Sequence, residues 1–396
     1  MAGRRRASGC SVVALCLLLV SLVACGGRPA ADAATDAVQR VLDRRSAAVL
    51  DRDASAFART GAREGFDRLR AVPFAEWSYR VTGLHRTGDT ATVEADLRYR
   101  VEGHDTAPVV AGRTLRLGLD AGGEWYVDSE RPAKKAAEQL WDQGEVMVAR
   151  GERSMVLGVG QSAEKLASYA ELADRAVPEV TRAWGTEWPR RTVVLVPESL
   201  EGMAGLLGSP ASSYRGIAAV TTGETGTKGE SPADRIIVNP VAYGVLGATG
   251  KQIVLTHETA HVATRAHTGA ATPLWLSEGY ADWVGYLAAG RTPSQAAPEL
   301  WRAVTDGRVP AALPTDEDFG FTGSASELAQ AYEAGWLACR LVADQWGEDK
   351  LREFYRAVGA HEKRAGAVED AMEKVLGTTL EDFTWQWREY LRVQLG

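Results

Sequence analysis

Val254-Leu255-Thr256-His257-Glu258-Thr259-Ala260-His261-Val262-Ala263 places two histidines four residues apart, with a glutamate directly after the first. On a helix, positions i and i+4 share a face, so His257 and His261 can hold one ion while Glu258 addresses a water beside it. Neutral imidazoles suit Zn²⁺. The remaining positions of the stretch carry no charge, as a helix buried at an active site requires. A surface helix with two chance histidines would carry Lys, Arg or Glu there.

A catalytic zinc needs three protein ligands and an open position, and the candidate for the third ligand lies in Trp275-Leu276-Ser277-Glu278-Gly279-Tyr280-Ala281-Asp282. Glu278 follows His261 by 17 residues, room for a helix end, a loop and a return helix. Pro273 opens the segment at a position that favours a first helical turn. Leu276, Tyr280 and Trp283 imply that this helix is buried, which a merely solvated Glu278 would not explain. Asp282 lies one turn after Glu278 and can accept a hydrogen bond from the outer nitrogen of a ligating histidine, fixing its tautomer.

The sequence HETAH followed by WLSEGYAD resembles the gluzincin metallopeptidases of clan MA, which include the thermolysin, aminopeptidase N and leukotriene hydrolase families. The resemblance implies one Zn²⁺ per chain held by His257, His261 and Glu278, with Glu258 as general base and Asp282 behind a histidine ligand. Ala331-Tyr332-Glu333-Ala334-Gly335 is similar to the Y-E-x-G segment of the aminopeptidase-like members. That implies Tyr332 as donor to the tetrahedral intermediate; the alternative is a core tyrosine on a buried helix. Leu376 to Phe383, with Trp387, resembles the closing helix of peptidase-MA-like lipoproteins.

The chain departs from the aminopeptidase pattern in two places. The segment between His261 and Glu278 holds 16 residues, two fewer than that pattern. No G-x-M-E-N sequence precedes the helix. Gly216-Ile217-Ala218-Ala219-Val220 stands there instead, as an expected edge strand on which Ala218 and Ala219 would align a peptide by backbone pairing. Exopeptidase activity therefore has no obvious amine-binding glutamate. His267, off the ligand face, reads as a loop residue.

At the other end, Arg4 to Arg6 precede an apolar run from Val12 to Val20, and the uncharged stretch from Ser11 to Ala24 is 14 residues, short for a bilayer span. It closes on Leu22-Val23-Ala24-Cys25, which resembles a bacterial lipobox. That implies cleavage before Cys25, lipid on its sulfur, and a protein held at the extracytoplasmic face of the cell membrane. Residues 1–24 are then a signal peptide and 25–35 a tether. Of four cysteines, Cys10 and Cys16 leave with the signal, and Cys339 alone remains after Cys25, so no intramolecular disulfide is expected. The net charge is −7, and −7 − 3 = −10 without the three arginines. This gives no basic footprint for nucleic acid.

The length of 396 residues suggests two domains, and the order of elements is α+β. A helix over Ala33 to Thr60 is followed by strands at Trp77 to Val81, Thr90 to Tyr99, Arg113 to Leu119 and Glu124 to Val127, with turns at Gly88-Asp89 and Gly122-Gly123. This unit, 36–130, looks like the cone fold of the ketosteroid isomerase type; its His85 and His104 read as turn residues. A linking helix is expected over 131–142. A metallopeptidase domain follows over 143–396, with a mixed sheet and a helical C-terminal half. The expected function is hydrolysis of a peptide or protein substrate. Two readings stay open beside it: a non-catalytic cell-surface binding lipoprotein on a peptidase scaffold, and a closed structural zinc site, for which Cys339 is the sole thiol.

Overall fold

Alternation builds the first layer. In Thr90–Val101, residues Ala91, Val93, Ala95, Leu97, Tyr99 and Val101 are buried and their neighbours face outward, the period-2 pattern of a half-buried strand. The computed structural model describes residues 30–222, 233–320 and 324–396. The expected signal peptide and Cys25 lie outside the described residues.

Helix α1 (Ala30–Leu50) opens the described chain. The alanine-rich start is helical, so the part of the expected tether from residue 30 to 35 is helix instead. Alanine has the strongest intrinsic helix preference, and the run simply continues into Val38, Val41 and Leu42, which are buried. Four strands follow as an antiparallel meander in the order β1-β2-β3-β4: β1 (Phe74–Thr87), β2 (Thr90–Val101), β3 (Val109–Leu119) and β4 (Trp125–Pro132). Gln39 of α1 braces β1 at its register shift, donating to Tyr79 O and accepting from Val81 N. His85 lies within β1, not in a turn; the strand runs on to Thr87, past the expected end at Val81.

The expected linking helix over 131–142 does not form. Arg131 and Pro132 remain in β4, opposite Thr114 and Arg113, and Ala133 N donates to Gly112 O. Lys135 then takes a left-handed φ of 75°. Only the turn Leu140–Gln143 is helical. Composition favours helix, but the paired strand and the left-handed residue override it. Asp142 holds the turn down, accepting two hydrogen bonds from Arg113.

The second sheet is mixed, in the order β5-β6-β7-β9-β8: β5 (Met147–Arg150), β6 (Ser154–Gly158), β7 (Thr192–Val196), β8 (Ala219–Thr222) and β9 (Arg235–Val238). β6, β7 and β9 are parallel, and β5 and β8 run antiparallel at the edges. The edge strand expected from Gly216 starts later, at Ala219. α2 (Ala163–Trp184) connects β6 to β7 and is capped by Ser162, whose side chain accepts from Lys165 N. Val156, Val194, Val196, Ile236 and Val238 point into the core shared with the helices. Met155, Leu157, Val193, Leu195 and Ile237 point the other way, into the core of the N-terminal unit. The sheet is buried on both faces, which is why its strands read as unbroken apolar runs.

From residue 248 the chain is helical: α3 (Ala248–Thr264), α4 (Leu274–Tyr286), α5 (Pro298–Thr305), α6 (Ala325–Trp346), α7 (Glu348–Gly359) and α8 (Leu380–Leu395). The architecture is thus α+β, with an antiparallel sheet, a mixed sheet and a helical C-terminal half. Among the described residues, no helix is long and apolar enough to cross a membrane.

Candidate metal centre

α3 is buried on most of its surface. Leu255, Ala260, Val262 and Ala263 pack in the core, and buried Thr259 satisfies its hydroxyl by donating back to Leu255 O. α3 lies between α2 and α4, and α4 lies against α6. The crossing of α4 and α6 is close because both contact points are glycine. A Cβ at Gly279 would stand 2.3 Å from Gly335 O, and one at Gly335 would stand 2.7 Å from Trp275 O. That approach brings Glu278 of α4 and Tyr332 of α6 to the histidine face of α3.

Three donor atoms meet there: His257, His261 and Glu278 form a cluster able to hold a metal ion. His257 Nε2 and His261 Nε2 are 3.0 Å apart, and Glu278 Oε2 is 3.3 Å from each. Donors about 2.0–2.1 Å from a tetrahedral zinc stand roughly 3.3–3.4 Å from one another, so the triangle has the right size. Its chemistry fits as well. Two imidazole nitrogens that face each other at 3.0 Å need a proton or a cation between them, since two lone pairs repel.

Asp282, one turn after Glu278, has Oδ1 2.8 Å from His257 Nδ1. With Nδ1 so engaged, Nε2 is turned toward the triangle. The electrostatics point the same way. Burial alone would lower the His257 pKa, but Asp282, then Glu278 and Glu258, lift it well above the usual value. Burial would raise Glu278; the two histidines, His261 foremost, hold its carboxylate far below the usual range. The cluster therefore stabilises positive charge at its centre.

One corner of the triangle, His257, lines a cleft of about 640 Å³. His257, Glu258, Asp282, Tyr332, Glu333, Ala218 and Ala219 all line it. Burial, reinforced by Glu278, Asp282 and Glu258, raises the Tyr332 hydroxyl well above its usual value, so it stays a proton donor. β8 is the sheet edge beside the cleft. Ala218 contributes its side chain to the cleft, but its carbonyl already accepts from Asn239 N. Ala219 pairs opposite Val238, and the alternation of an antiparallel ladder turns the main-chain groups of Ala219 and Thr221 away from β9. Cys339 is fully buried, with Sγ against Leu276 O; it is no part of the triangle. His267 packs edge-on against Trp184 in a 3₁₀ turn after α3.

One residue at the site escaped the sequence reading. Thr221 Oγ1 donates to Glu258 Oε2 at 2.6 Å and lies 3.0 Å from Glu258 O. The separation of 37 residues leaves no local spacing from which it could be found. Glu333 is also more than a neighbour of Tyr332. Its carboxylate accepts from Leu300 N and Glu299 N at the start of α5.

No protein-family model matches the chain, and no curated protein matches it. Among solved structures it is similar to native yeast LTA4 hydrolase, with 10% identity and a TM-score of 0.38 over 82% of this chain. It is also similar to a mutant M1 zinc metallopeptidase from Deinococcus radiodurans, with 13% identity and a TM-score of 0.36 over 81% of this chain. A two-domain M1 zinc metallopeptidase mutant bound to L-arginine aligns with 13% identity and a TM-score of 0.38, again over 81%. The aligned region spans 61% of the length of each of these three chains.

Proposed function

We propose that the chain is a zinc-dependent peptidase of the gluzincin type. The observation that carries this reading is the triangle of His257, His261 and Glu278 donors, 3.0–3.3 Å on edge, with Glu258 on the same helix facing the same cleft. A purely structural ion would have no use for Glu258.

Zn²⁺ bound at such a site supplies a Lewis acid that acidifies water to a pKa of roughly 7 and polarises a carbonyl. Glu258 takes a proton from the attacking water and delivers it to the leaving amine. Tyr332 donates a hydrogen bond to the oxygen on which charge develops. Asp282 keeps His257 in its tautomer. Ala219, with its main-chain groups turned outward, aligns an extended peptide along β8. The substrate is a peptide or protein. The remaining readings belong to the same proposal: a lipid anchor at Cys25 on the extracytoplasmic face of the membrane, and a cone of the ketosteroid isomerase type for the N-terminal unit.

The test is hydrolysis of a quenched fluorogenic peptide library by the zinc-loaded protein. Glu258→Gln keeps its zinc and loses turnover by at least about 10³-fold, and Tyr332→Phe lowers kcat by about 10–100-fold. Undiminished hydrolysis by Glu258→Gln removes Glu258 as general base, whereas no hydrolysis by the zinc-loaded parent leaves the binding-protein reading. Cys25→Ala releases the protein from membranes; unchanged membrane association contradicts the anchor.

A further inference from the structure

Thr221 is the only described hydrogen-bond donor to the Glu258 carboxylate. It is carried by β8, at the edge of the mixed sheet. Strand alternation explains how it arrives there. Ala219 and Thr221 share a face, and Ala219 belongs to the core of the helical half. Val220, between them, packs toward the N-terminal unit. The Thr221 side chain therefore projects toward α3, while its main-chain groups turn away from β9.

One hydroxyl proton faces two acceptors of Glu258. The carboxylate oxygen is nearer, at 2.6 Å against 3.0 Å for the main-chain oxygen, and it carries the charge. The charge-assisted bond is the stronger of the two. Glu258 is 6% exposed, so its carboxylate has little water to replace that partner.

We propose that Thr221 is the positioning residue of the general base. Its hydroxyl fixes Oε2 of Glu258 and so sets the rotation of the carboxylate, which leaves Oε1 to take the proton. The same residue presents its main chain to the strand edge on which a peptide pairs, so substrate alignment and base alignment share one element. A general base must lie within hydrogen-bond reach of its proton, and small misplacements are costly. This inference rests on the peptidase reading above.

Thr221→Val keeps the β-branched shape and removes the donor; Thr221→Ser keeps the donor. On a fluorogenic peptide cleaved by the parent, Thr221→Val lowers kcat by about 10–100-fold with KM within about twofold. Thr221→Ser restores most of the lost rate. Zinc content and thermal midpoint stay at the parent values in both variants, which separates the lost rate from a folding defect. A binding readout separates position from turnover. Calorimetry with acetohydroxamate, a zinc chelator that donates a hydrogen bond to a neighbouring carboxylate, shows Thr221→Val weakened by about 5–10-fold. In the Glu258→Gln background the same substitution has no further effect. Losses that add in full to those of Glu258→Gln, or a rise in KM with kcat unchanged, overturn the role of Thr221 and leave the peptidase reading standing. A parent that neither binds zinc nor cleaves any peptide overturns the peptidase reading, and Thr221 with it.

Discussion

Glu333 is a carboxyl of the cleft whose pKa is raised from the ordinary value. Burial pushes it up to about 7, with repulsion from Glu299 and Asp282 added, against the N–H groups of Leu300 and Glu299 that favour its charged form. The unfolded chain would titrate this group near the ordinary 4.5, so the folded state binds its proton more tightly. Its contribution to stability is fully present below pH 4.5 and is lost as pH rises to about 7. Glu333→Gln should flatten that part of the profile, measured by urea denaturation of the zinc-free protein between pH 4.5 and 7.5. An unchanged slope contradicts the assignment. The three donors that meet in the triangle were within reach of the sequence because two of them lie at i and i+4, and Asp282 lies at i+4 from the third. Thr221 and the capping contacts of Glu333 are set by distant pairings, 37 and 33 residues away, for which sequence holds no local period.

At the scale of elements, the site depends on how closely α4 crosses α6. Glycine is required there because a Cβ at Gly279 would meet Gly335 O at 2.3 Å and Gly335 C at 2.4 Å, and backbone cannot swing aside as a long side chain can. Gly279→Ala should force the helices apart, destabilise the fold by about 1–3 kcal/mol or more, and weaken zinc binding by moving Glu278 from the histidines. Chemical denaturation and a competitive zinc titration read the two effects, and parent values in both contradict the close-crossing account. The strands of the antiparallel sheet were readable from their period, and the helical C-terminal half was expected. The linking helix was misread because Lys, Ala and Glu composition reports propensity, whereas the continued pairing of Arg131 and Pro132 is a tertiary event. The start of β8 was overextended because Gly216 and Ile217 carry the right residues but belong to the preceding turn, where Ile217 N donates to Tyr214 O, and Ala218 keeps a single main-chain bond, from Asn239 N.

Across the whole molecule, the N-terminal unit and the mixed sheet are joined by a shared core and by one buried ion pair. Arg235 of β9 makes two hydrogen bonds of 2.7 Å to Asp105, which follows β2, and both side chains are almost fully buried. Asp105 also accepts from Val101 N. Asp234, beside Arg235, accepts from Arg265 at the end of α3. The helix that bears the histidines is thus tied, through two successive residues, to the N-terminal unit. Asp105→Ala should cost about 3–5 kcal/mol because it strands a buried guanidinium, whereas replacing both partners with apolar residues of similar volume should be far milder. Equilibrium unfolding of the single and double variants checks this, and equal losses in both contradict it. None of this was visible in the sequence, where the pair is separated by 130 residues. That His257, His261 and Glu278 form one metal site is tested by elemental analysis of zinc per chain in the protein lacking residues 1–25, beside His257→Ala and Glu278→Ala. About one zinc in the parent and little in either variant is the predicted result; no zinc in the parent after reconstitution, or equal zinc in all three, would contradict it.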